Sequence, residues 1–216
     1  MTTLTADLFW SFRSPYSFLA TRRYRALTEE YDLGIALRPV WPLAIREPDF
    51  FERNHPNWLG YVGRDIQRLA QYLGIEMGRP NPDPIVQDLA TRKIAEEQPH
   101  IRRITRLGQA AARRGRGLAF ADEASRLIWE GKVRWTEGGH LNGAAERAGL
   151  DWQQVSGEAE ADAAALDAEI AANQQALEAA GHWGVPTLVF DGEPFFGQDR
   201  IDVALWRMKQ AGLETR

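Results

Sequence analysis

Strand-like stretches occur only near the two ends of this chain, and about 140 residues of helical pattern separate them. Leu4 to Trp10 is short and rich in apolar residues, as a buried strand is, and Ser14 to about Tyr31 then reads as a helix. Gly34 to Val40 is a second strand. A strand, a helix and a strand in that order make a βαβ unit, so the two strands pair in parallel through a right-handed crossover. After Gly181 strand signals return at Thr187 to Asp191 and Pro194 to Phe196, flanking Gly192 and Glu193 as a hairpin turn. An amphipathic helix from Asp199 to about Gln210 follows. The order βαβ, helices, ββα admits few folds, because the strands must find each other across the whole chain.

Between Trp41 and Ala180 the spacing predicts helices at Trp58 to Leu73, Ile85 to Gln98, Ile101 to Arg114, Phe120 to Glu130, His140 to Ala148 and Ala159 to Ala180. The first carries Leu59, Val62, Ile66, Leu69 and Leu73 at helical period, and the proline-rich run Gly78 to Pro84 ends it. The last is alanine-rich and acidic, a composition that favours helix. The economical reading is an α/β chain with a thioredoxin-like fold interrupted by an all-helical insertion: residues 1–41 and 181–216 form the first unit and 42–180 the second.

Ser14 and Pro15 open the first helix. Serine suits the N-cap, and proline suits the first turn because its N–H would be orphaned anyway. A group placed there faces unpaired N–H groups and the positive end of the helix dipole, a setting that stabilises an anion and lowers thiol pKa values. The chain contains no cysteine. Thiol chemistry at this position must therefore use a sulfur that a ligand brings.

Composition narrows the classes further. A net charge of −4 with mixed signs provides no footprint for nucleic acid. The first ten residues lack a basic segment followed by an apolar one, and no stretch reaches membrane-spanning length, so a cytoplasmic protein is the simplest reading. His55, His100, His140 and His182 show no metal-ligand spacing, although His182 is placed to line a pocket. Arg102, Arg103, Arg106, Arg113, Arg114 and Arg116 form a basic cluster, read either as a solvated face or as the source of one guanidinium for a substrate carboxylate. Trp10, Trp41, Trp58 and Trp183 divide between core and pocket wall.

Three stretches, FRSPYSFLA at 12–20, GHWGVPTLVFDG at 181–192 and PFFGQDRID at 194–202, together resemble the DsbA-like thioredoxin superfamily. Within it they are most similar to the branch of 2-hydroxychromene-2-carboxylate isomerases and kappa-class glutathione transferases. Where the superfamily's disulfide oxidoreductases have Cys-Pro-x-Cys, this chain has Ser14, Pro15, Tyr16 and Ser17. The resemblance implies glutathione as cofactor, with Ser14 catalytic and facing the glutathione sulfur. It also implies that Val185 and a cis Pro186 pair with the glutathione backbone, that Gln198, Asp199 and Arg200 meet its γ-glutamyl end, and that Asn54 is an active-site asparagine, for which Asn57 is a rival.

A small-molecule substrate and a homodimer are implied in the same way. Three readings of activity stay open: a glutathione-dependent isomerase, a kappa-like glutathione transferase, and a non-catalytic DsbA-like binding protein without redox activity.

Overall fold

A computed structural model describes residues 3–88, 90–91 and 93–216. Strand β1 (Leu4–Trp10) lies second in a four-stranded sheet of order β2-β1-β3-β4. It pairs in parallel with β2 (Leu33–Pro39), from Leu4 opposite Leu33 to Trp10 opposite Pro39, and antiparallel with β3 (Thr187–Phe190), Leu8 opposite Leu188. Burial of Leu8, Phe9 and Trp10 in succession marks a strand covered on both faces. Strand β4 (Glu193–Phe196) forms the other edge. Its hairpin turns on Asp191 and Gly192, whose φ angles of 50° and 76° give the left-handed pair of a two-residue turn. That places the turn one residue earlier than Gly192 and Glu193, because Glu193 pairs with Phe190.

Helix α1 (Pro15–Glu30) connects the parallel pair, with Ser14 as its N-cap. Two single-turn helices that the sequence pattern does not announce, α2 (Leu43–Arg46) and α3 (Phe50–Arg53), follow β2. Next come α4 (Asn57–Leu73), α5 (Pro99–Arg113), α6 (Gly117–Trp129) and α7 (His140–Arg147), close to their expected bounds. Two expected helices differ.

The segment 85–98 is no helix among its described residues, and Leu89 and Arg92 lie outside them. Asp88 uses its carboxylate to accept from the N–H groups of Ala90 and Thr91, and a bridge joins Gln87 to Ile94. An aspartate turn competes with helix for the same backbone donors. The buried Gln98 side chain then clamps the segment, accepting from Val86 N–H and donating to the carbonyls of Val86 and Ala95. The expected long helix at 159–180 is two helices, α8 (Trp152–Ala161) and α9 (Ala163–Ala179), broken at Asp162. Alanine propensity predicts helix on both sides of that break but not the break itself. At the C-terminal end a single 3-10 turn (Gln198–Arg200) precedes α10 (Ile201–Gln210), which packs on β3 and β4.

One continuous core joins these parts. Leu8, Trp10 and Leu19 from the first elements, Ile101, Leu107 and Phe120 from the helical segment, and Leu188, Ile201 and Met208 from the last elements belong to the same buried cluster. Helices α5, α6 and α9 pack directly against β2, so the sheet's parallel edge is covered from the middle of the chain. None of the described helices is long and apolar enough to cross a membrane.

Candidate functional site

The site grows from the turn between β1 and α1. Ser14 has extended backbone angles (φ −94°, ψ 114°), and its Oγ accepts from Ser17 N–H at 3.1 Å, capping the helix. The same hydroxyl donates to the carbonyl of Val185 at 3.3 Å. That is long for a hydroxyl donor, whose usual range is about 2.5–3.0 Å, so its proton is weakly held and free to turn to a better acceptor.

The turn itself is fixed from beside and below. Arg13 grips Asp83 through two bonds of 2.6 and 2.7 Å and lies over the Trp129 ring at 5.3 Å, while Trp129 Nε1 donates to Phe12 O at 3.1 Å. Ser17 is fully buried, and its Oγ has no hydrogen-bond partner among the described residues.

Opposite Ser14 stands the loop before β3. The Val185-Pro186 peptide bond is cis. Pro186 O accepts from Gly197 N–H at 2.8 Å, and Thr187 Oγ1 donates to Gly184 O at 2.7 Å. Among the described residues the Val185 N–H has no partner. An aromatic stack builds this loop: His182 lies parallel to Trp183 at 4.6 Å and to Phe196 at 4.1 Å, and its Nδ1 accepts from Gly184 N–H. Residue 184 must be glycine, since a Cβ there would sit 2.6 Å from Phe196 Cε2 and 3.0 Å from His182 Cε1. Burial lowers the His182 pKa below its ordinary value, more than the bond from Gly184 raises it, so the ring stays neutral in the stack.

The third part is the start of the last helical segment. Gly197 takes φ 98°, a conformation that favours glycine. Gln198 is buried, and its carbonyl accepts from Arg23 Nη1 of α1 at 2.6 Å, which ties this turn to α1. Asp199 and Arg200 are more than half exposed and form an ion pair at 2.7 Å. The Asp199 charge also acts on Tyr16. The Tyr16 hydroxyl donates to Asp65 of α4 at 2.9 Å, and burial, that bond and the nearby acids Asp65 and Asp199 keep the phenol protonated well above its ordinary range.

The structure thus brings Val185 to Ser14 by a hydrogen bond and Pro186 beside Gly197, ties Gln198 to α1 through Arg23, and leaves Arg200 paired with Asp199, whose charge reaches Tyr16. Asn54 stands apart. Its Nδ2 donates to Phe50 O at 2.5 Å, and it lines an open cleft of about 480 Å³ with Glu47, Phe50, Arg53 and Trp183. Trp183, two residues before Val185, links cleft and turn. Asn57 is not among the cleft residues. Tyr16 sits in the serine-proline motif, where a reader of the sequence could have singled it out. Glu47, Phe50 and Arg53 carry no motif that announces them.

The arginine cluster resolves into structure for three of its six members. Arg106 is held bidentately by Asp167, Arg113 by Glu158 and Glu169, and Arg114 by Glu158. Arg102 and Arg103 lie over the rings of Trp41 and Trp152. Of the four tryptophans, Trp10 is core and Trp183 is half exposed at the cleft.

The family model described as a DSBA-like thioredoxin domain matches residues 5–208. Among solved structures the chain is similar to a 2-hydroxychromene-2-carboxylate isomerase, at 21% identity and a TM-score of 0.70 over 96% of each chain. A probable DsbA oxidoreductase from Streptomyces coelicolor follows at 18% identity and 0.66, over 96% of this chain and 89% of that one. The cytosolic disulfide reductase DsbM from Pseudomonas aeruginosa, in a structure with GSH, has 17% identity and a TM-score of 0.58 over 96% of this chain and 100% of its own. No curated protein matches the sequence.

Proposed function

The chain belongs to the DSBA-like thioredoxin domain family, and from that premise we propose that it is a glutathione-dependent isomerase in which Ser14 activates the glutathione thiolate for reversible addition to an unsaturated aromatic-derived substrate. The observation that carries the reading is the pairing of a hydroxyl at the α1 N-cap with the carbonyl before Pro186, in a chain with no cysteine to support disulfide exchange. A DsbM structure with GSH and the likeness to 2-hydroxychromene-2-carboxylate isomerase add support.

Glutathione would lie as an added strand along Val185, its amide pairing with the open N–H there, and its γ-glutamyl ammonium would face Asp199. Gln198 and Arg200 would flank that end, and a part of the ligand extending past Trp183 into the cleft would meet Asn54. Ser14 would release its long bond to Val185 O and donate to the sulfur. Ionising a thiol of pKa about 8.5 at neutral pH needs a drop of one to two units, or about 1.4–2.7 kcal/mol. A hydrogen bond to a charged acceptor supplies about 1.5–3 kcal/mol and a helix N-terminus up to about 2. Two ordinary effects suffice.

The thiolate adds to the β-carbon of a conjugated carbonyl, forming a C–S bond as the π pair moves to the carbonyl oxygen. Rotation about the former double bond follows. Elimination then breaks the C–S bond, restores the double bond and returns glutathione unchanged. The openness of the Trp183 cleft favours a kappa-like glutathione transferase as the second reading, in which a proton traps the adduct and it leaves as product. Calorimetric glutathione binding, measured beside turnover, tests all three readings. Binding with isomerisation supports the first, binding with conjugation the second and binding without turnover a non-catalytic protein, whereas no binding rejects the glutathione hypothesis.

A further inference from the structure

The proposed pairing of glutathione with Val185 fixes which way the rest of the ligand runs. Gly197 N–H bonds to Pro186 O at 2.8 Å, so Gln198 and Asp199 lie on the Pro186 side of Val185. A ligand strand with its cysteine at Val185 and its γ-glutamyl end towards Asp199 therefore sends its glycine the other way. A strand advances about 3.3 Å per residue, so the glycine, one residue on, falls opposite Gly184 and Trp183. The side chain that stands there with a hydrogen to give is His182.

The His182 ring is fixed in plane, in rotation and in tautomer. Its faces are nearly parallel to Trp183 and Phe196, at interplanar angles of 19° and 22°. Its Nδ1 accepts from Gly184 N–H at 2.9 Å, and its main-chain N–H bonds to Leu177 O near the end of α9. A nitrogen that accepts carries no proton, so in the neutral ring the proton is on Nε2. The edge with both nitrogens runs along Gly184: a Cβ there would be 3.0 Å from His182 Cε1, and Nε2 is the next ring atom. Nε2 has no partner among the described residues and is open to solvent. The loop thus presents one oriented, unspent N–H donor beside the backbone on which the ligand strand would lie.

We infer that His182 Nε2–H is the donor that receives the glycine carboxylate of glutathione, which makes His182 a specificity residue for the full tripeptide. The inference rests on the glutathione reading above, since it names one end of that ligand. A donor already held by a stack and a backbone bond loses little freedom when the carboxylate arrives. A hydrogen bond to an ionised acceptor is also roughly twice as strong as one to a neutral acceptor. His182 should therefore tell a carboxylate from a carboxamide at that position.

Glutathione and its glycine amide, which differ only at that end, test the assignment. Dissociation constants are measured by calorimetry near neutral pH on wild type and on His182→Asn protein of matching circular dichroism. Asparagine places an amide oxygen where Nδ1 stood, so it keeps an acceptor for Gly184 N–H, and it ends short of the Nε2 position. Wild type should prefer glutathione about tenfold. The variant should cut that preference by at least about threefold, losing affinity for glutathione while holding the amide within about twofold. In the nitrogen NMR spectrum of wild type, the Nε2 resonance, identified by its absence from the variant, should shift with glutathione and shift less with the amide.

Equal binding of the two ligands to wild type overturns the inference and leaves glutathione as the ligand, as does a preference that survives unchanged in His182→Asn. If the variant loses both ligands alike, the nitrogen spectrum decides: an Nε2 resonance unmoved by saturating glutathione overturns the assignment, and one that moves upholds it. Binding of neither ligand to wild type rejects the glutathione reading and the inference together.

Discussion

Ser14 and Ser17 occupy equivalent-looking places in one motif, and their surroundings assign them opposite consequences. Ser14 is partly exposed and bonded on both sides, whereas Ser17 Oγ is buried without a partner among the described residues. A buried hydroxyl that has given up water and found no partner is a liability. Ser17→Ala should therefore keep the fold and raise its stability by up to about 1 kcal/mol in urea titrations, helped by alanine's helix propensity. Because the Ser17 backbone N–H still caps on Ser14, glutathione affinity should be unmoved.

Ser14→Ala should behave differently. It loses a cap worth about 1 kcal/mol and, with glutathione bound, most of the ultraviolet absorbance of the thiolate. An unchanged band would show Ser14 to be a cap and nothing more. The sequence announced both serines through the helix-start motif, but it could not distinguish them, because partner geometry 171 residues away decides what each hydroxyl does.

Among the elements, the seam between α5 and the α8–α9 pair is held by charge. Hydrogen bonds from Arg113, and then Gln109, hold the Glu169 carboxylate below its ordinary pKa of 4.5 despite some opposing burial. For Glu158 burial raises the pKa, and the bonds from Arg113 and Arg114 outweigh it, so the net shift is also downward. A carboxylate whose folded pKa is depressed stabilises the fold above its unfolded pKa and loses that contribution as pH falls through the folded value. The melting-temperature advantage of wild type over Glu169→Gln should thus be present near neutrality and shrink below about pH 4.5. An advantage constant down to about pH 3 would show that Glu169 contributes by packing alone.

The same seam shows where reading by pattern stops. Helical periods revealed α5, α6 and α7 to within three residues at each end. They did not show that Arg106, Arg113 and Arg114 would be answered by acids 44 to 61 residues later, which makes these three neither a solvated face nor a source of a substrate-binding guanidinium. Nor did they show the 85–98 turn, where one aspartate side chain and the Gln98 clamp overrule local propensity.

For the molecule as a whole, the site is assembled from both ends of the chain on a sheet that exists only when folded. Reduced glutathione should accordingly stabilise it against heat. At 100 times the dissociation constant the gain is about 2.7 kcal/mol, or about 5–11 °C for a chain of this size. S-methyl glutathione should raise the melting temperature less, having no thiolate for Ser14. Asp199→Ala should weaken both ligands, since it is the residue proposed to face the γ-glutamyl end. A melting temperature indifferent to millimolar glutathione would reject the cofactor. At this scale the sequence was most informative, because strand signals confined to the ends leave few ways to close a sheet, while the cleft at 47–54 stayed hidden in two helical turns too short to show a period.

The 171 residues between Ser14 and Val185 also set a timetable for synthesis. A ribosome adding about 5–20 residues per second leaves the Ser14 turn waiting about 9–34 seconds for its partner loop. Over that interval β1 has β2 available but not β3, so a nascent chain carries one unpaired central edge and no ligand site. On the proposed reading glutathione can stabilise only a finished chain. A cell that makes this protein has to protect the growing one by other means, and a messenger truncated before codon 187 would yield a product that the ligand cannot rescue.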